Sequence, residues 1–249
     1  VSGSNGTIAN NGTINADGRI AVLVQAEEGK TTQGNVITFG AESSTSGTVQ
    51  INKSVQGTRI TFADGALLDG RIVDNGTGTV IEGSVDISGQ GEQEVGAGIY
   101  LGAGSSLNLK DSTFANNQVA GADVYGGAIH SYGSPVVLTS TVFVGNSAVS
   151  TGANVGSNGV QKGAAGGAVM LKGNASTVFT DVVFTNNSAA AEKRDDTTGG
   201  YAYGGALMVD YSTGTATGVE RASDVTFKIT KGLLYTGNTV SSDSTAESF

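Results

Sequence analysis

Two short units recur along this chain at nearly constant separation, and that recurrence restricts the possible fold more than any other feature. The first is a glycine corner followed by an apolar residue: "VGAGIYL" from Val95, "YGGAIHS" from Tyr125, "AGGAVML" from Ala165 and "YGGALMV" from Tyr203. The second is Phe-x-x-Asn, running from Phe114, Phe143 and Phe184, with Tyr235 in place of Phe in the last copy. The separations from Gly96 to Phe114, Gly126 to Phe143 and Gly166 to Phe184 agree to within a single position. The return paths, from Phe114 to Gly126, Phe143 to Gly166 and Phe184 to Gly204, differ almost twofold. One arm is fixed and the other absorbs insertions, as in a solenoid whose loops leave a stacked core at one edge.

Composition agrees with strands rather than helices. Forty glycines break every candidate helix, and there is one proline. Short Val/Ile/Leu/Thr runs alternate between turn residues, as in "QGTRITFADG" and "TGTVIEGSVDISG". The expected fold is all-β, a right-handed parallel β-helix forming a single elongated domain with inserted loops. The β-helix is expected over 1–240, with simple coils over 1–94, repeats with inserted arms over 95–240, and a frayed tail over 241–249. Ile8, Ile14 and Ile20, evenly spaced, continue the inward pattern upstream. At roughly 20 residues a coil, the chain holds about a dozen coils in a rod on the order of 55–60 Å.

Stacking explains the residue types. Phe114, Phe143, Phe184 and Tyr235 form an aromatic column in the core. Asn116 or Asn117, then Asn146, Asn187 and Asn238, turn inward at a bend and bond backbone groups there, each bond contributing roughly 0.5–1.5 kcal/mol. Gly126–Gly127, Gly166–Gly167 and Gly204–Gly205 permit the tight opposite corner. Ile99, Ile129, Val169 and Leu207 begin the next inward strand. His130, the only histidine, alternates outward from Ile129 and is expected to face solvent.

The two repeated units resemble those of the chlamydial polymorphic outer membrane protein repeat, found also in other Gram-negative autotransporter passengers. The resemblance covers roughly Gly96 to Asn238. It implies a right-handed β-helix exported through its own C-terminal β-barrel and displayed on the cell surface. It further implies adhesion, to a host-cell protein or glycan or to passengers on neighbouring cells. The absence of cysteine departs from the chlamydial pattern and points to another bacterial group.

The charge balance, 13 basic against 22 acidic residues for a net −9, argues against nucleic acid, whose phosphates demand clustered Lys and Arg. No polygalacturonase "GHG", converging lyase carboxylates or Gly-Asp-Ser-Gly nucleophile is present, so no catalytic residues and no cofactor are expected. Asp64, Asp69 and Asp74, evenly spaced, are candidate calcium ligands, weighed against turn residues that bond nearby backbone donors. The insertions over 147–165 and 188–203 are the candidate binding loops. They offer Lys162, Glu192, Lys193, Arg194, Asp195, Asp196, Tyr201 and Tyr203, with Tyr125 in the register of Tyr203. Exposed tyrosines beside mixed charge suit sugar stacking or protein anchoring. An adhesin, a glycan-binding or polysaccharide-processing β-helix, and a structural spacer remain the functional alternatives.

Overall fold

The computed structural model describes residues 1–90, 95–151, 163–173, 176–192, 201–210 and 227–242. Among them there is no helix, and strand pairing is parallel throughout, with 17 strands in the largest sheet. Register follows one position through successive tiers: Ile8, Ile37, Ile60, Ile81, Leu107, Val136, Thr177 and Phe227 lie one above the next. A second column runs Ile14, Thr45, Leu68, Ile87, Phe114, Phe143, Phe184 and Tyr235. Both columns contain eight tiers among the described residues. Seven steps of about 4.8 Å span only about 34 Å, well short of the dozen-coil rod expected. Along the first column the chain path per tier is shortest from Ile60 to Ile81 and more than doubles by the last step, from Thr177 to Phe227. More residues separate the later tiers than a uniform coil length allots them, so fewer tiers fit in the chain.

The interior is a continuous apolar column in which alternate residues of each strand face inward. Phe114, Phe143 and Phe184 are fully buried, with ring centroids 5.1 and 4.9 Å apart and nearly parallel planes. Tyr235 continues the stack at 5.0 Å but is 44% exposed, because no described tier covers its other face. Phe39 and Phe62 form a separate stack upstream. Ile20 departs from expectation: it is exposed, while Val22 and Val24 are buried. Ile8 and Ile14 pack on the core from different faces of one tier, so their spacing is a step around the tier and not between coils.

The asparagine column resolves the choice between Asn116 and Asn117. Asn116, Gly145, Asn186 and Gly237 share one position and all adopt positive φ, near 55–65°, a region that Asn and Gly enter more readily than other residues. That turn swings the following Asn117, Asn146 and Asn187 inward, where they are fully buried. The side-chain oxygens of Asn146, Asn187 and Asn238 each accept from the backbone N–H and the amide of the asparagine one tier earlier. Each amide also donates to the carbonyl of the residue at the aromatic position one tier earlier, Ile87, Phe114, Phe143 and Phe184 in turn.

The arms are more ordered at their roots than insertion loops would be. Departing segments Gln118–Gly121, Ser147–Ser150, Ser188–Ala191 and Thr239–Ser242 stack as one sheet, and returning segments Val124–Tyr125, Gly163–Ala165 and Tyr201–Tyr203 as another. Between them lies a second core of Ala97, Val119, Val124, Ala148, Ala164, Ala189, Ala191 and Ala202. Alanines fill it because the two sheets approach closely. A Cβ on Gly167 would collide with the Gly205 carbonyl and the backbone of Ser188. Ser188–Ala191 and Tyr201–Tyr203 are therefore structural, which corrects the reading of the whole of 188–203 as an inserted binding loop.

Candidate functional site

One flank of the main sheet carries an outward row of Leu23, Gln50, Val73, Tyr100, His130, Met170 and Met208 in consecutive tiers. Returning arm segments fold across part of this row. At Gly126, φ is 62°, and the site for a Cβ is occupied by the backbone of Ile129 and Met170. The turn thereby lays Tyr125 beside the next strand. Tyr125 and Tyr100 contact the His130 ring from 5.6 and 5.7 Å. His130 is consequently only 6% exposed, and the expectation of a solvent-facing histidine is wrong. Alternation gives its direction correctly but not the cover laid over it.

These residues line an open cleft of about 710 Å³, together with Arg71, Tyr132 and Lys172, within the range of small-ligand sites. Tyr132 and Lys172 are register partners at the ends of adjacent strands. The Lys172 ammonium lies 5.3 Å from the Tyr125 ring centroid, a cation–π geometry. Arg71, just ahead of strand Ile72–Asp74, donates through one terminal nitrogen to the carbonyls of Val95 and Gly96, both at 3.3 Å. Its Nε is buried without a partner among the described residues, as are both ring nitrogens of His130. No described carboxylate forms an ion pair with Arg71 or Lys172.

Burial dominates the electrostatics. It pushes the Arg71 guanidinium down to about 10. It also lowers His130 to about 4, with a smaller contribution from the Lys172 charge, so the imidazole is neutral at neutral pH. The Tyr125 hydroxyl is raised by burial first and then by Asp123 and Asp210.

A stability signature follows. Between pH 6.5 and about 4 the unfolded chain takes up a proton at His130 that the folded chain refuses. Stability therefore falls as pH falls through that window, by about 3 kcal/mol, and this contribution levels off below it. His130→Leu should abolish that component, seen as a flatter difference in urea midpoint between pH 7 and pH 4.5. Parallel pH profiles for the two proteins would refute the buried neutral imidazole.

Of the described residues expected to bind, only Tyr125 joins this cleft. Tyr201 and Tyr203 stack on one another at 6.3 Å farther along the returning row, Tyr203 exposed. Glu192 is exposed at the arm's root, its N–H bonded to the Ser150 carbonyl. Lys162, Lys193, Arg194, Asp195 and Asp196 lie outside the described residues. The three aspartates proposed for calcium do not converge. Asp64 is exposed and pairs with Lys110, and Asp69 is exposed on the surface. Asp74 is buried, accepting from the Gly76 N–H and the Thr79 hydroxyl.

Sequence reasoning missed Arg71, Tyr100, Tyr132 and Lys172. A signal for Tyr100 existed: superposing "GIYL" on "AIHS" at the glycine corners sets it beside His130. Comparison with protein-family models, with curated proteins and with solved structures finds no match to this chain.

Proposed function

We propose that this chain is a passenger segment of a Gram-negative autotransporter, a right-handed parallel β-helix displayed at the cell surface as a non-catalytic adhesin. The observation that carries the reading is a rigid parallel stack presenting an open aromatic and cationic cleft on one flank. A stack of this kind holds surface groups at fixed intervals, which suits many weak contacts made in parallel. The repeated glycine corner and Phe-x-x-Asn turn, the basis of the passenger resemblance, occupy equivalent positions in successive tiers. Recognition fits the cleft better than catalysis. The neutral His130 ring is enclosed by tyrosine rings, and no described carboxylate or nucleophilic hydroxyl bonds to it.

The test is attachment by the chain coupled to beads. Beads should bind host cells or one another, while beads carrying a solenoid of equal length should not. If neither kind of bead attaches, and exchanging the solenoids on the bacterial surface leaves adhesion intact, the chain is a spacer. Replacing residues 193–200 with a Gly/Ser bridge, which leaves buried Ala191 and Ala202 in place, should preserve the melting transition. Loss of attachment in that variant would assign contact to the arm. Retained attachment would assign it to the cleft or the flat faces.

A further inference from the structure

Three features of the flank cleft together specify a ligand chemistry. The first is shape: the volume of about 710 Å³ accommodates one or two sugar rings rather than a folded partner. The second is its aromatic lining. Tyr100, Tyr125 and Tyr132 come from three different segments, and Tyr132 is 48% exposed at the rim. Tyrosines combine an apolar face with a hydroxyl that bonds polar groups, which matches the alternation of C–H and O–H surface on a pyranose. The third is charge. In a chain of net −9, Arg71 and Lys172 both line this one cleft, neither in an ion pair with a described carboxylate. A partly buried guanidinium that no described carboxylate neutralises is stabilised by an incoming anion.

Resting on the adhesin reading, we infer that the cleft binds a carboxylated sugar, the pyranose lying on the tyrosines, with Arg71 and Lys172, on tiers either side of them, supplying the positive charge that draws in the carboxylate. The His130 ring forms the floor, wedged between Tyr100 and Tyr125, and sets the separation of those two rings. Asp210 is the register partner of Lys172 on the next tier, and Asp123 lies two residues before Tyr125. Negative charge already borders that side of the cleft and disfavours a second acidic group there. The acidic surface as a whole repels dense polyanions. A polymer with one carboxylate per disaccharide, or a glycan with a single terminal acid, is accepted, and a heavily sulfated chain gains nothing.

The experiment is calorimetric titration of the folded chain with 3′-sialyllactose, a hyaluronan tetrasaccharide, neutral lactose and a heparin tetrasaccharide. At least one of the first two should bind at least tenfold more tightly than lactose, and heparin no more tightly than either. The responding acid identifies the source, a terminal sialic acid or a polymeric uronate. Lys172→Gln and Tyr132→Ala alter rim side chains outside the core. Each should weaken binding roughly tenfold, about a 1.4 kcal/mol change, without shifting the melt, whereas Arg71→Gln should weaken it further. Equal binding of lactose and the acids would overturn the inference, as would unchanged affinity in both rim variants or preferential binding of heparin. Bead attachment separates the two levels. Attachment that survives both rim variants, with no sugar bound, retains the adhesin and removes the cleft from it. Acidic-sugar binding without attachment retains the cleft and removes the adhesin.

Discussion

Phe143→Ala is expected to destabilise the fold by about 3–5 kcal/mol, the usual range for deleting a buried aromatic and leaving a cavity. Phe143 is fully buried and stacked on both faces, by Phe114 at 5.1 Å and Phe184 at 4.9 Å. Neighbouring tiers are held at strand spacing by backbone hydrogen bonds, so they cannot slide inward to fill the space. Phe184→Ala should cost a similar amount, since Phe143 and Tyr235 stack on its two faces and Phe179 lies 6.2 Å away. Tyr235→Ala is the internal comparison. Its ring stacks on one neighbour and is 44% exposed, so its loss should be clearly smaller. Urea midpoints at constant slope report all three. A shift equivalent to under ~1 kcal/mol at both phenylalanines would be incompatible with the stacked column.

The aromatic and amide columns are legible because each rests on a repeated residue type, set in the first three copies at a nearly fixed offset from a glycine corner and in the last copy after an insertion. Over these tiers stacking repeats chemistry as well as position, with ring on ring and amide on amide. Register therefore shows in the one-letter sequence from Phe114 to Asn238. Upstream, the corresponding positions hold Ile14, Thr45, Leu68 and Ile87. Generic apolar residues carry no register, and the even spacing of Ile8 and Ile14 imitates a coil-to-coil step that it is not. The alanine core of the arms is illegible for a related reason. "SAVS" and "SAAA" look like small loop residues until two sheets close over them.

The cleft illustrates a different limit. Strand alternation says which way a side chain points but nothing about what later crosses above it. Burial of His130 depends on Tyr125, close upstream yet separated by the glycine turn, and on Tyr100 a full tier earlier. Lys172 and Arg71 reach the cleft from tiers on either side of the tyrosines, Arg71 from the region where spacing carries no register. Strand direction is local, whereas a binding site joining four tiers exists only once the unequal steps from Ile72 through Ile99 and Ile129 to Val169 are in place.

Asn146→Leu should be comparably damaging to Phe143→Ala although it removes no ring and keeps the number and branching of side-chain heavy atoms. The Asn146 oxygen accepts both the backbone N–H and the side-chain amide of Asn117, at 3.0 and 2.9 Å. Its amide donates to the Phe114 carbonyl and the Asn187 oxygen, both at 2.9 Å. Leucine strands the Asn117 donors where water has no access, and each buried group left without a partner costs roughly 1–3 kcal/mol. With two donors stranded at once, a loss of about 2–6 kcal/mol is expected. Asn146→Asp preserves shape and the accepting oxygen but replaces the donor by a second oxygen facing two acceptors, so it too should be severe at pH 7 and milder when protonated at low pH. At Asn238, half-buried, water can replace the lost partner, and the same substitution should cost clearly less. Because adjacent amides bond to one another, Asn146→Leu combined with Asn187→Leu should cost less than the sum of the two alone. Strict additivity would mean that the asparagines act as independent turn residues and that their side-chain ladder contributes nothing of its own to holding the tiers in register.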